Sequence, residues 1–481
     1  MQIDRTHSST PISSKQLSPK KEPASPSGES SPAPADVVLF SAGDLTPKGK
    51  LPVILSSVTP EDKKQLEKLL KEKYNGRITS EIPLVNGYTV EINPSKMRQF
   101  ISALPAHVGV SLDSKIKFPD PQVVIASHVK GGSDEEKNVY LQTYKLDKIW
   151  DKGITGKGVG VCVIDSGIFP HEDFGDRIVG WKDMSSKSGK EAYDPFGHGT
   201  HVSGIVAGSG KASEGKIKGV APDASLVGVR ITSVSEAIKG LQWAIENREK
   251  YGIKVINMSL GDYALKSYKD DPWAQAAEKA VEAGMVVVVA AGNEGPGAST
   301  ISTPGTDPMV ITVGSIDDKK TIQTKDDTIA DSSSRGPTSQ DKLTKPDVLA
   351  PGVAILSTLS PGSTLDMPEI PHVGDKYISF NGTSMATPIV AGLCALMLQA
   401  NPSLTHEQIK EILRSTADKL PSLEENTQGM GRIDAVEALK KAEELKKPEA
   451  LDKPTGKKVA SHRKNSKALD DALSNGGWLI S

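Results

Sequence analysis

The run VGVCVIDSGI (residues 159–168) decides the reading of this chain. An unbroken apolar stretch of this length, closed by an acidic residue and a Ser-Gly turn, reads as a strand buried on both faces. Two further runs of the same kind follow, KVINMSL (254–260) and MVVVVAA (285–291). The helical stretches SEAIKGLQWAIENREK and PWAQAAEKAVEAG fall between the strands. Buried strands alternating with helices predict an α/β fold with a doubly wound, mostly parallel sheet, here over about 141–440. Sites in such sheets lie at the carboxyl ends of strands, which is where Asp165 falls.

Two other motifs suit the same location. PFGHGTHVSGIVAG (195–208) sets His198 between glycines where a helix begins, and NGTSMATPIVAGLCALMLQA (381–400) sets Ser384 at the head of a long apolar helix. Pro388 requires that helix to begin near Ser384, because a proline deeper inside would remove a backbone bond. A serine hydroxyl is a weak nucleophile until a base takes its proton, and histidine is the side chain suited to that near neutrality. A carboxylate such as Asp165 then fixes the imidazole tautomer. Each motif alone has a plainer reading, Asp-Ser-Gly as a turn and HGTH as a core histidine. His198, His201 and Asp165 could instead share a metal, but HExxH is absent. An α/β-hydrolase would need G-x-S-x-G and a different chain order.

Taken together, the Asp-Ser-Gly at Asp165, HGTHVSG around His198 and GTSMATP around Ser384 resemble the catalytic signatures of the subtilase family. The family's order of Asp, His, Ser is kept. The resemblance implies a serine endopeptidase with Ser384 as nucleophile, His198 as general base and Asp165 as its orienting partner. It implies that Asn293, in AAGNEG, supplies an oxyanion donor, and that no cofactor is required for catalysis. Ser259, Leu260 and Gly261, with Ala290, Ala291 and Gly292, resemble the two segments lining the family's specificity pocket. Ser302 matches the pocket floor, and its neutrality implies an uncharged residue before the cleaved bond. Two departures stand out. The stretch between Arg230 and Trp243 is about six residues shorter than in many members, so one wall of the groove is expected to be shortened. The loop AGSGKASEGKIKGVAP lacks the Asn-rich insertion that binds calcium strongly in secreted bacterial members, so a tightly bound calcium does not follow, and only a weak structural cation near Asp347 is left open.

Upstream, residues 36–118 alternate as strand, helix, two strands, helix and strand. Thr59-Pro60 with Asp62 forms a helix-start signal; Leu66, Leu69, Leu70 and Tyr74 share an apolar face; Asn86-Gly87 suggests a hairpin turn. A second helix begins at Asn93-Pro94 and carries Met97, Phe100, Ile101 and Leu104 inward. This small α+β module resembles the family's inhibitory propeptide in order and position, which implies a self-processing proenzyme with its own propeptide as intramolecular inhibitor. The polar stretch 119–140 reads as a linker open to cleavage, with the cut expected between about 114 and 140. Residues 1–35, rich in Ser, Pro and Lys, and the polar tail 441–481 read as unpacked ends.

Composition narrows the partners. A net charge of -2 with 25% charged residues argues against nucleic acid. No run is expected to reach the ~18 apolar residues of a membrane span, so no membrane partner is expected. The amino terminus lacks a secretory pattern, so location is open; only the propeptide suggests an extracellular site. Two cysteines, Cys162 and Cys394, both in apolar runs, read as buried thiols. Polypeptide substrates and a monomeric state complete the expectation.

Overall fold

The apolar run that opens the argument forms strand β5 (Gly160–Asp165), and its residues divide between two cores. Val161 and Val163 face one cluster, with Val202 and Ile389, while Cys162 and Ile164 face the other, with Ile238 and Trp273. A strand covered on both faces has no polar side to alternate with, hence the continuous apolar sequence. The chain is described here from a computed structural model over residues 42–118, 138–185, 189 and 191–446.

Strand β5 lies centrally in an eight-stranded sheet with β6 (Ile178–Asp183), β7 (Ser225–Arg230), β8 (Ile253–Met258), β9 (Val286–Ala290), β10 (Ile311–Asp317), β11 (Thr328–Ile329) and β12 (Val348–Pro351). The order is β11-β10-β9-β8-β5-β7-β6, with β12 also beside β10. Every pairing is parallel except that of β11 with β10.

Before this sheet stands a four-stranded antiparallel one, ordered β2-β3-β1-β4, from β1 (Leu51–Ser56), β2 (Arg77–Ile82), β3 (Gly87–Ile92) and β4 (Gly109–Leu112). Helix α1 (Pro60–Leu69) starts with a complete Thr59–Asp62 capping box and buries Leu66, while Leu69 is half-buried. Leu70 and Tyr74 are buried in the turn that follows. Helix α2 (Met97–Ile101) buries Met97 and Phe100, with Ile101 and Leu104 half-buried. The β2–β3 connection differs from a two-residue Asn-Gly turn. Pro83–Val85 form a short 3-10 turn, and only Asn86, at φ 46°, is left-handed. Asparagine tolerates that conformation, so the sequence signal marked a real αL position in a longer loop.

Helix α3 (His198–Ala207) and helix α6 (Thr383–Ala400) cover one face of the large sheet; α4 (Val234–Tyr251) and α5 (Pro272–Glu282) cover the other. The expectation that no run reaches membrane-spanning length fails at Thr383–Ala400, 18 residues of mean hydropathy 1.4. That helix is 94% buried inside the fold, so its apolarity on all sides serves the core. Pro388 lies within it, five residues after its start at Thr383. Cys162 and Cys394 are buried free thiols in clusters on opposite faces of the sheet, and burial pushes both thiol pKa values up.

The described residues all belong to one compact unit. The tail expected at 1–35 and residues 119–137 of the expected linker lie outside them, as do residues 447–481; Ala435–Glu444 is helical.

Candidate active site

Asp165 ends β5 with its carboxylate at the carboxyl edge of the sheet, wholly buried. Its Oδ1 accepts hydrogen bonds from the Ser166 backbone N–H at 2.7 Å and from His198 Nδ1 at 2.8 Å. With Nδ1 protonated, Nε2 carries the lone pair, and no protein group among the described residues bonds to it. Burial pushes the His198 pKa down, but the charge and hydrogen bond of Asp165, with the charge of Asp194, outweigh it and leave the imidazole above its ordinary value of 6.5.

Asp194 holds the histidine's surroundings in place, a role the motif reading missed. Its Oδ1 accepts from Ser166 Oγ and Gly197 N–H, and its Oδ2 from the Thr200 N–H and hydroxyl. A carboxylate beside a helix start satisfies donors that the helix cannot, and its charge suits that end. An Asp four residues before a helix-opening histidine was the available signal. His201 is no metal partner for His198: its Nε2 lies against the carbonyls of Ile355 and Ile378, and its ring packs on Phe380 at 4.4 Å. No cluster of three or more His, Cys, Asp or Glu side chains suited to a metal occurs among the described residues.

Ser384 stands in the first turn of α6, and with His198 it lines one cavity of about 340 Å³. Its hydroxyl donates to the Ser259 carbonyl at 2.8 Å rather than to the imidazole. A turn about one staggered side-chain bond redirects Oγ, and such bonds commonly form only when substrate is present. Asn293 is anchored by its side-chain oxygen, which accepts from the Thr383 N–H at 2.9 Å and lies 3.1 Å from its hydroxyl. That arrangement leaves the amide NH2 for the cavity, which Asn293 also lines.

Ser259, Leu260 and Gly261 form one wall of the cavity, Ala290 and Gly292 the other, and Ser302 lies between them. Side chains on the two glycines would collide with Ser302, since a Cβ on Gly292 would meet its Oγ at 2.3 Å and one on Gly261 its Cβ at 2.8 Å. Ala291 is not on the wall. It is fully buried, its N–H donates to the Val313 carbonyl and its carbonyl accepts from Ser302 N–H. Neighbouring residues of an extended segment point to opposite sides, so Ala290 and Ala291 could not both face the cavity.

The stretch between β7 and α4 forms no strand. Thr232, Ser233 and Val234 nevertheless pair with the end of the upstream module: Ile116 N–H donates to the Thr232 carbonyl at 2.9 Å and Val234 N–H to that of Ser114 at 3.0 Å. Asp113 sits at the amino end of α4, accepting from the N–H and hydroxyl of Ser235 at 2.8 and 2.7 Å. Burial raises its pKa, and the Ser235 bonds oppose the rise. Ile54, Ile82, Val85 and Ile116 join the apolar cluster that holds Trp273 and Ile238. Phe118 reaches the cavity, its ring 4.9 Å from Phe196 and 5.9 Å from His198.

The position left open for a weak cation, Asp347, is filled by the protein's own cations. Its Oδ2 accepts from Lys345 Nζ at 2.7 Å, and its Oδ1 lies 3.2 Å from Lys410 Nζ and 2.9 Å from Arg414. The Val310 carbonyl accepts from both lysines. Burial alone would raise the Asp347 carboxyl, but Lys345 and Lys410 hold it well below the usual range. In the loop without the Asn-rich insertion, the N–H groups of Gly210 and Ala212 and the Tyr377 hydroxyl bind the Asp173 carboxylate.

Residues 156–431 match the subtilase family. The chain is 40% identical to serine protease AprX of Bacillus subtilis (strain 168) over 381 residues, covering 77% of this chain and 82% of that one. It is 35% identical to subtilisin E of the same organism over 340 residues, covering 68% and 78%. Among solved structures, fervidolysin from Fervidobacterium pennivorans, a keratinolytic enzyme related to subtilisin, shares the fold at a TM-score of 0.62 and 23% identity. The match covers 84% of this chain and spans 62% of that one. A buried aspartate–histidine pair at a strand end, a serine facing the same cavity and these likenesses have one common explanation: the chain belongs to the subtilase family and is a subtilisin-like serine protease.

Proposed function

We propose that Ser384 is the nucleophile of an endopeptidase, with His198 as general base, Asp165 orienting it and Asn293 donating to the oxyanion. The observation that carries this reading is the buried Asp165–His198 bond, which leaves Nε2 unpaired beside the cavity that Ser384 lines. The Ser384 oxygen attacks the peptide carbonyl carbon while Nε2 takes its proton. The Asn293 amide stabilises the negative oxygen of the tetrahedral intermediate. The proton then passes to the departing amine, and water repeats the sequence on the acyl-enzyme. None of these steps calls on a metal or cofactor.

Residues 36–118 act as an intramolecular inhibitor, with Asp113–Phe118 laid along the groove in the manner of a bound substrate. The residue packed on the imidazole precedes the one whose carbonyl is attacked, because the base must reach both the nucleophile and the leaving nitrogen. A substrate following the path of Ile116–Phe118 therefore presents its next residue to Ser384, with that side chain between Ser259–Gly261 and Ala290–Gly292. The glycine-lined space beside neutral Ser302 favours an uncharged side chain there. Self-cleavage then falls one residue beyond Phe118. The mature protein works on polypeptides as a monomer.

The pH dependence of casein hydrolysis tests this reading. Only the neutral imidazole accepts a proton, so the rate rises with pH through the His198 pKa. The raised pKa places that rise above 6.5. A profile flat from about pH 5 to 9 would remove His198 from the role.

A further inference from the structure

We propose that Tyr263 forms a subsite for a cationic side chain on the third residue before the cleaved bond, a specificity determinant resting on the catalytic reading above. The chain's own docked segment supplies the observation. Lys117, which precedes the Phe118 packed near His198, places its ammonium 4.6 Å from the centre of the Tyr263 ring. Tyr263 lines the same cavity as Ser384 and is 55% exposed, so the ring remains for another cation once the segment leaves. A cation over an aromatic face is drawn to the ring's negative quadrupole.

The ring sits on an anchored loop. Asp262 pairs with Thr303 in both directions, at 3.0 and 2.9 Å, and the Ala264 carbonyl accepts from the Ser339 hydroxyl. The Asp341 carboxylate accepts from the Ser267 hydroxyl and the Tyr268 N–H. A loop tied on three sides holds the ring where the substrate needs it, so little ordering entropy is lost on binding. Asp262 and Glu294 line the same cavity and add negative potential.

Two internally quenched peptides test the subsite with the mature enzyme. One carries Ile-Lys-Phe, as in residues 116–118, followed by Leu-Ser; the other has norleucine in place of lysine. Fragment masses locate the cut. The wild type is expected to cut both after leucine and to favour lysine by about two- to five-fold in kcat/KM. Tyr263→Phe keeps that ratio and Tyr263→Leu brings it to about one, the ratio within each protein cancelling any change in its overall rate. A wild-type ratio near one, a preference that survives in Tyr263→Leu, or a cut at another bond overturns the subsite while leaving catalysis intact. If the wild type cuts neither peptide, the reading of Ser384 fails and the subsite fails with it.

Discussion

Ser384→Ala is expected to leave the chain whole. The wild type, incubated alone, should lose its amino-terminal module and show a new terminus starting two residues beyond Phe118; the variant should keep its full mass and cut no casein. The expected loss is large because attack and proton transfer form one concerted unit. In a relative, subtilisin, removing the serine or the histidine costs ~10⁶ in turnover, about as much as removing the whole triad. Alanine removes the hydroxyl that the proposed mechanism needs Nε2 to deprotonate. Asp113 and the Thr232–Val234 pairing are untouched, so the variant should also remain docked and folded. A Ser384→Ala chain that still processes itself in pure form would remove the serine from the mechanism.

The second large effect is on stability. Asp347→Asn should destabilise the protein by about 3–5 kcal/mol, the usual cost of taking one partner from a buried charge network. Lys345 is only 2% exposed and Lys410 15% in their side chains, so neither ammonium can recover water when the carboxylate goes. Burial, and then the charge of Lys345, already pull Lys410 down to about 7, with Asp347 opposing them. For a domain of this size the melting temperature should fall by roughly 10 °C. The comparison belongs in the Ser384→Ala background, where self-digestion does not intrude. A change below about 1 kcal/mol, typical of exposed ion pairs, would mean that the Asp347 cluster is open to solvent.

Much of this was legible because the chemistry is carried by short segments. The runs at 159–165, 254–260 and 285–291 contain their own evidence for burial on both faces, and His198 and Ser384 sit in motifs whose glycines and helix starts are local. What escaped depends on which segments meet. Asp347 and Lys345 are two residues apart, yet Lys410 and Arg414 reach the carboxylate from a helix, His406–Ser415, far along the chain. No local pattern announces that meeting, so a carboxylate that the sequence left open to a weak cation turns out to be paired with the protein's own. Ala291 shares a motif with Ala290 but not a face, and a motif names residues without naming faces. The membrane-length run of α6 is hard to see in the sequence because Thr383, Ser384 and Thr387 at its head and Gly392 in its middle mask a helix buried all round. Asp113 at the start of α4 and Lys117 over Tyr263 belong to the docking of one segment on another, which sequence spacing does not encode.

The account's central claim is that Ser384 and the Nε2 atom of His198 act on one carbonyl. Reaction with a peptidyl fluorophosphonate, followed by digestion and mass mapping, tests it most directly. The claim predicts a single adduct on Ser384 in the wild type and none in His198→Ala over the same time. Labelling at another residue, or equal labelling of Ser384 without the histidine, would contradict it.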